Sequence, residues 1–208
     1  MEDPEISQVL AFWFGADRND RPTIDARMDR WFGSDPAFDA EVGRRFGDLV
    51  ERASKGRLAA WASTARGRLA LILLLDQFRR NIYRGRPEAF RRDAQALKLC
   101  VEGAMTGDYK TLDPFEQAFF FMPLQHAESL PVQERAVKIY AGLVASVSPT
   151  LKATFATFAQ FAELHRDIIA TYGRFPHRNR ILGRPDTDSE REFLAGGVVG
   201  VADQGPQC

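Results

Sequence analysis

The chain has 208 residues, of which 45% are hydrophobic and 27% charged, and Lys+Arg and Asp+Glu each total 28. This length suits one domain, or two small ones, with a sizeable hydrophobic core. The balanced charge excludes a strong field for nucleic acid or an anionic membrane, so we expect neither partner. Arginine greatly outnumbers lysine, which favours forked contacts with carboxylates and phosphates.

Cysteine usage and the N-terminal sequence indicate a location. The two cysteines, Cys100 and Cys208, do not suggest a structural disulfide, and the acidic N-terminus lacks the hydrophobic region of a signal peptide. No segment is long and apolar enough for a transmembrane helix. We therefore predict a cytoplasmic protein, with residues 1–194 as a single helical domain and 195–208 as a weakly structured tail.

Apolar residues three or four positions apart predict helices along most of the chain. In chain order, the predicted helices cover residues 6–14, 23–32, 35–54, 66–84, 87–105, 113–123, 132–147, 148–172 and 188–194. Asp35-Pro36 and Asp113-Pro114 provide an N-cap and a first helical proline, and Gly15, Gly33 and Gly173 mark helix ends. No segment alternates as a strand does. The pattern predicts an all-α, tetratricopeptide-like array of antiparallel helix hairpins with about eight helices, although the consensus of that repeat is absent.

Two segments near the N-terminus are similar, Phe-Trp-Phe-Gly-Ala-Asp at 12–17 and Arg-Trp-Phe-Gly-Ser-Asp at 30–35. We interpret them as two similarly capped helix ends, and not as an internal repeat. Their tryptophan and phenylalanine pairs fit either the core or a homodimer contact, so the sequence leaves the oligomeric state open.

The segment 66–84 predicts the central helix. Seven consecutive apolar residues, Leu69–Leu75, leave it no polar face, so we expect it to be buried on all sides. Polar residues follow at its buried end, where each needs a partner: Asp76, Gln77, Arg80 and Asn81. An ion pair of Asp76 with Arg79 or Arg80 is the structural interpretation.

Histidines provide the candidate proton-transfer groups. His165 lies on the apolar stripe of the longest predicted helix, which fits either a core histidine or a general base. His126 and Glu128 follow Pro123, which should kink its helix. Because His126 and Glu128 are only two residues apart and no helical pair at i and i+4 exists, we predict no metal site. The sequence indicates no particular cofactor.

The loop 174–184 is rich in arginine and is stiffened by Pro176. Its candidate ligand-binding residues are Arg174, His177, Arg178 and Asn179. Arginine forks suit an anionic small molecule. The alternative is that these arginines pair with acidic residues such as Asp76, Glu190 and Glu192.

Several segments together resemble a family of bacterial proteins, domain of unknown function 924. They are residues 9–15, 74–83, 123–128 with Gln133, and 161–165 through 173–179. The resemblance implies an all-α, tetratricopeptide-like fold but no activity. Similar proteins usually have proline where Arg79 stands, which would bend the central helix, and often serine where Ala127 stands.

We therefore expect one polar pocket to gather groups that are distant in sequence: Asp76, Gln77, Arg80, Asn81, His126, Glu128, His165, Arg174, His177, Arg178 and Asn179. One hypothesis is a binding domain for a small anionic molecule or a peptide carboxylate. Another is a metal-independent hydrolase or lyase with His126 or His165 as general base, oriented by Glu128 or Asp76. A third is a purely structural polar network.

Overall fold

The computed structural model describes residues 2–15 and 21–196, and within them every regular element is helical. The α-helices, numbered in chain order, are α1 (Pro4–Phe14), α2 (Arg21–Phe32), α3 (Pro36–Ser54), α4 (Ala65–Leu75), α5 (Gln77–Ile82), α6 (Asp93–Thr106), α7 (Pro114–Gln125), α8 (Leu130–Ser146), α9 (Lys152–Tyr172), α10 (Asn179–Leu182) and α11 (Asp188–Ala195). Short 3₁₀ turns cover Ala59–Ser63, Pro87–Ala89, Asp108–Thr111 and Pro176–Arg178. The all-α prediction is confirmed, and the two short helices α5 and α10 account for the larger helix count among these residues.

Local signals placed several helix ends correctly. Asp35 caps α3 by accepting a hydrogen bond from the Ala37 amide at 2.8 Å. Asp113 forms a capping box with Glu116 at the start of α7. Gly173 ends α9 with φ 70°, a left-handed conformation that glycine adopts without steric cost.

Helix α4 is the centre of the fold. Its residues from Gly67 to Leu75 are all buried, and it packs against α1, α3, α6 and α7. Helices that follow each other in the chain also pack together, α6 on α7, α7 on α8 and α8 on α9. Short connections between packed neighbours give an array of antiparallel hairpins of the tetratricopeptide-like kind.

The N-terminal aromatic pairs belong to the core. Trp13, Phe14 and Trp31 are at most 2% exposed, and the Trp31 indole Nε1 donates a 2.9 Å hydrogen bond to the Trp13 carbonyl. Of the two roles that the sequence left open for these residues, the structure shows the core.

The largest differences from the sequence-based prediction lie at four places. The predicted helix 66–84 is interrupted at Asp76, which joins α4 to α5 with φ −106° and ψ −71°. The predicted helix 87–105 begins as a 3₁₀ turn, and α6 starts only at Asp93. Ser148-Pro149 lies in a turn, since α9 begins at Lys152. The predicted loop 174–184 contains the 3₁₀ turn Pro176–Arg178, which continues directly into α10 and ends at Gly183 with φ 67°.

Arg79 stands within α5 and is 3% exposed. Its Nε and Nη2 donate to the Glu88 carbonyl at 3.1 and 2.7 Å, and its Nη1 donates to Ser54 Oγ at 2.9 Å. The helix is therefore interrupted without a proline at position 79, and arginine there ties α5 to the 3₁₀ turn Pro87–Ala89.

At the C-terminus, α11 ends at Ala195, and residues 197–208, including Cys208, lie outside the described residues. The predicted domain limit at residue 194 stays a prediction. None of the helices in the described part of the chain is both long and apolar enough to cross a membrane.

Candidate functional site

The interruption between α4 and α5 places a carboxylate in the centre of the protein. Asp76 is fully buried. Its Oδ1 lies 2.7 Å from His126 Nδ1 and 3.0 Å from Arg80 Nη1, and its Oδ2 accepts a 2.6 Å hydrogen bond from Gln77 Nε2. Both carboxylate oxygens therefore have partners, as a buried charge requires.

Arg80 links this carboxylate to a second one. The guanidinium donates to both Asp93 oxygens at 2.9 Å, a bidentate pair. Asp93 Oδ2 also lies 3.5 Å from Arg178 Nη1. Two carboxylates and two guanidinium groups thus alternate in the order Asp76, Arg80, Asp93, Arg178.

Arg178 enters the same place from the 3₁₀ turn after α9. Its Nη1 donates to the His126 carbonyl at 3.2 Å. Its guanidinium carbon lies 4.7 Å from the centre of the Phe90 ring and 4.4 Å from that of Phe175. The two aromatic faces hold the planar cation by cation–π contacts.

Electrostatics assigns the protonation states of the buried pair. Burial alone would raise the pKa of Asp76, but Arg80 and the hydrogen bonds from His126 and Gln77 outweigh it and lower that pKa. Burial and the Arg80 charge lower the pKa of His126, although Asp76 opposes them. At neutral pH the pair is thus a carboxylate and a neutral imidazole whose Nδ1–H donates to Asp76.

His126 faces a cavity of about 630 Å³. Since Nδ1 is held by Asp76, the other ring nitrogen, Nε2, is an acceptor, and no described residue donates a hydrogen bond to it. The cavity wall comes from the 87–97 region, the end of α7 and the segment around α10: Pro87, Phe90, Arg91, Asp93, Ala94, Leu97, Pro123, His126, Ala127, Glu128, Ser129, Arg178 and Leu182.

His165 lies behind this site and does not line the cavity. The ring is 2% exposed and packs edge-on against Phe175, with 5.4 Å between ring centres. Neither ring nitrogen makes a well-formed hydrogen bond to another described residue. Burial lowers the pKa of His165 well below its usual value, with the His126 and Arg178 charges acting in the same direction. The sequence-based alternative was a core histidine that is hydrogen-bonded to a neighbour. The burial agrees with it, but the expected hydrogen bond is not well formed.

Other predicted residues are not brought to Asp76. Asn81 donates to Asp39 Oδ1 at 2.8 Å, because its side chain leaves α5 towards α3. Arg174 forms a bidentate pair with Glu190, with distances of 2.6 and 2.7 Å. Asn179 donates to Asp186 Oδ1 at 2.7 Å. The expected convergence is therefore wrong for these three residues, which have nearer partners in their own part of the fold.

Glu128 and His177 are two further residues that the sequence analysis placed in the polar pocket. Glu128 lines the cavity, but it accepts bonds from Arg184 at 2.7 and 3.0 Å and from the Phe175 amide at 2.8 Å. It therefore does not orient His126. The His177 ring packs against Phe175, with 5.5 Å between ring centres.

Asp93 is the site residue that the sequence analysis missed. A helix predicted to start at Pro87 placed Asp93 in its second turn, where an acidic residue has no special meaning. As the first residue of α6, its carboxylate interacts favourably with the helix dipole. Its negative charge could have indicated this role. Arg80 and Arg178 are two buried cations, and Asp76 alone provides only one carboxylate for them.

The described residues also bear on metal binding. Among residues 2–15 and 21–196, no group of three or more His, Cys, Asp or Glu side chains lies close enough together to hold a metal ion. Cys100 is buried in the core as a free thiol, and burial raises its pKa.

Comparison with known proteins gives a family and a fold but no activity. Residues 9–198 match a family model described as "Bacterial protein of unknown function (DUF924)". The chain is similar to the solved structure of Protein of Unknown Function ATU0120 from Agrobacterium tumefaciens, with 34% identity and a TM-score of 0.79 over 93% of this chain and 98% of that one. No curated protein matches.

Proposed function

The chain belongs to the bacterial protein family of unknown function DUF924, and from this premise we propose that its cavity binds a small anionic molecule on which His126 acts as a general base. The activity that fits best is hydrolysis of an ester with water as the nucleophile.

The observation behind this proposal is the orientation of the His126 ring. A buried carboxylate holds Nδ1 at 2.7 Å and so selects one tautomer, while Nε2 is left as an acceptor beside the cavity. A base oriented by a second group in this way is the usual arrangement in acid–base catalysis. A neutral imidazole at pH 7 is ready to accept a proton, and Asp76 stabilises the imidazolium that results.

The reaction can be written with these groups. As the oxygen of a water molecule bonds to the ester carbonyl carbon, one water proton passes to His126 Nε2. The carbonyl oxygen gains negative charge, which the nearby Arg178 charge stabilises. The carbon–oxygen bond to the alcohol then breaks, and the leaving oxygen takes the proton from Nε2, which regenerates the neutral ring. The products are an acid and an alcohol.

The cavity supports a small molecule rather than a long peptide. Its volume, about 630 Å³, lies within the range of small-molecule sites. Two arginines, Arg91 and Arg178, line its wall together with two carboxylates, Asp93 and Glu128. Asp93 accepts from Arg80 and contacts Arg178, and Glu128 accepts from Arg184, so both carboxylates are held by arginines. This observation equally favours the second candidate, binding of an anion without chemistry.

The test is turnover of a panel of carboxylate and phosphate esters, followed by proton NMR. We expect hydrolysis of at least one ester class, with a loss of roughly 10²- to 10⁴-fold in His126→Gln. The matched control is Glu190→Gln, which removes a paired group far from Asp76. If the protein binds anions but hydrolyses no ester, the result would support the second candidate, anion binding, and reject His126 as a general base.

A further inference from the structure

We propose that the ligand of this cavity is amphipathic, a small carboxylate that carries an alkyl or aryl body several carbon atoms long. This inference rests on the proposed function only for the choice of cavity, and it names the class of molecule that the cavity accepts.

The polar side of the cavity comes from three different segments. Asp93 opens α6, His126 follows α7, and Arg178 ends the 3₁₀ turn before α10. All three line the cavity, and the contacts of Arg178 with the other two hold them together. Asp93 accepts two hydrogen bonds from Arg80 and contacts Arg178, so its carboxylate faces guanidinium groups, and Arg178 and Arg91 are the cations that line the cavity.

An apolar residue lies about one helical turn from each polar one. Leu97 follows Asp93 by four residues, Leu182 follows Arg178 by four, and Pro123 precedes His126 by three. All three also line the cavity. Because one turn of helix advances by about 5.4 Å, the wall changes from polar to apolar over that distance in all three segments.

This gradient favours a ligand with the same polarity pattern. A ligand with polar groups throughout would bury some of them against Leu97 and Leu182 without hydrogen-bond partners, which weakens binding. A purely apolar ligand would cover Arg178 and His126 with the same penalty. A carboxylate head next to Arg178, with its body along Leu97, Leu182 and Pro123, avoids both costs.

The remaining wall residues are four apolar ones, Pro87, Phe90, Ala94 and Ala127, together with Arg91, Glu128 and Ser129. Glu128 is paired with Arg184, and the exposed Arg91 lies 3.9 Å from Glu88. The apolar majority agrees with an alkyl or aryl body, and a cationic head would lie next to Arg178. A ligand with a cationic head is therefore disfavoured.

The first experiment measures dissociation constants of the full chain for acetate, butanoate, hexanoate and octanoate by calorimetry. Burial of each methylene predicts an affinity gain of about 3- to 4-fold until the chain fills the apolar part. Octylammonium, with a similar body and a cationic head, should bind at least about 10-fold more weakly than octanoate. Equal affinity for acetate and octanoate, or for octanoate and octylammonium, would overturn the proposal.

Variants then assign the apolar contact. Leu97→Ser should lower the affinity for octanoate by roughly 10-fold and leave the affinity for acetate unchanged, because only the alkyl chain of the ligand contacts Leu97. Leu182→Ser is an independent second variant, and both residues are partly exposed, so their replacement should be tolerated. The matched control is Met105→Ser, because Met105 is also on α6 but is 83% exposed and outside the cavity. If Met105→Ser lowers the affinity for octanoate as much as Leu97→Ser and Leu182→Ser do, the proposed binding mode is wrong.

A last comparison separates this inference from the general base. His126→Gln should lower ester hydrolysis by roughly 10²- to 10⁴-fold while the dependence of alkanoate binding on chain length persists. Chain-length dependence in a protein that hydrolyses no ester would support the amphipathic ligand and reject the base. Ester hydrolysis that does not vary with acyl length would support His126 as the general base and reject the amphipathic ligand.

Discussion

Two regions of the molecule use the same chemistry, an arginine fork on a carboxylate, in different settings. The cavity cluster is defined by Asp76, Arg80, Asp93, His126 and Arg178. The C-terminal cluster is defined by Glu128, Arg174, Arg184 and Glu190. In the first, the Asp76 and Arg80 side chains are fully buried and that of Asp93 is 19% exposed. In the second, the Glu190 side chain is also buried, at 2% exposed, but the Arg174 and Arg184 side chains are 27% and 23% exposed.

The clusters also differ in what they leave available. In the C-terminal cluster, each carboxylate forms a two-point pair with one arginine, and Arg184 also donates to the Phe175 carbonyl and to Asn179 Oδ1. These bonds attach the last elements to the end of α7. In the cavity cluster, His126 Nε2 is left as an acceptor beside open volume. Arginine–carboxylate pairs occur in both clusters, so such pairs alone do not indicate a ligand-binding site. A hydrogen-bond acceptor that has no protein donor and lies beside a cavity does indicate one.

The largest expected effect is the loss of the shared cation in the cavity cluster. Arg80→Met leaves Asp76 and Asp93 as buried carboxylates without their main cation. We expect a loss of about 3–5 kcal/mol in the free energy of unfolding, measured by chemical denaturation.

The corresponding change in the C-terminal cluster, Arg174→Met, should cost less than Arg80→Met, because Arg174 holds a single carboxylate and 27% of its own side chain is exposed, although the Glu190 side chain that it leaves is 2% exposed. Equal losses in the two variants would mean that burial does not distinguish the clusters.

The second prediction concerns orientation of the base. Asp76→Asn removes the carboxylate that raises the pKa of His126, so this pKa should fall further, as measured by NMR titration of its ring protons. Ester turnover should fall about 10²-fold or more, since the selected tautomer is lost. Turnover in Glu190→Gln should match that of the wild type, and a similar decrease there would show that the effect is not local.

The third prediction uses pH to separate function from stability. Burial and the Arg80 charge lower the pKa of His126 from its usual value near 6.5, so the neutral base predominates at pH 6.5 and above. The ratio kcat/KM should therefore rise with pH to a plateau, with its midpoint below about pH 6.5. A rise in kcat/KM on acidification would show that His126 acts in its protonated form.

Stability from the C-terminal cluster is lost in a more acidic range. Arg174 and the Thr187 amide lower the pKa of Glu190 to about 2. A carboxylate with a lowered pKa contributes its stability above its unfolded pKa, near 4.3, and loses it as the pH falls towards 2. Activity should therefore be lost at a higher pH than this contribution to stability.

The smallest effect concerns His165, which lies behind the cavity cluster. Because its pKa in the folded protein is well below 6.5, the unfolded chain binds a proton first as the pH falls through 6.5, and stability decreases. His165→Leu removes this loss, so its melting temperature should change less between pH 7 and pH 5 than that of the wild type, by up to about 2 kcal/mol in equivalent stability. Equal pH dependence in both proteins would contradict a buried neutral His165.

Parts of this site were predictable because polar residues at the end of a buried helix need partners. Asp76, Gln77 and Arg80 follow the apolar run Leu69–Leu75, and His126 closes another helix with a buried end. The pairs that these residues form were not predictable. Arg80 donates to Asp93 and Asn81 donates to Asp39, and the helical period gives no reason to expect different partners for these two neighbours. Whether these residues bind a ligand stays a prediction.

The helices, their capping residues and the burial of α4 can be predicted from the sequence, because they follow from contacts within a few residues and from the need to cover apolar side chains. The carboxylate that each arginine holds, the break at Asp76 and the cavity beside His126 depend on how distant helices pack. The reason is that many arginine–carboxylate pairings are chemically equivalent, and the packing of distant helices brings only some of them within hydrogen-bond distance.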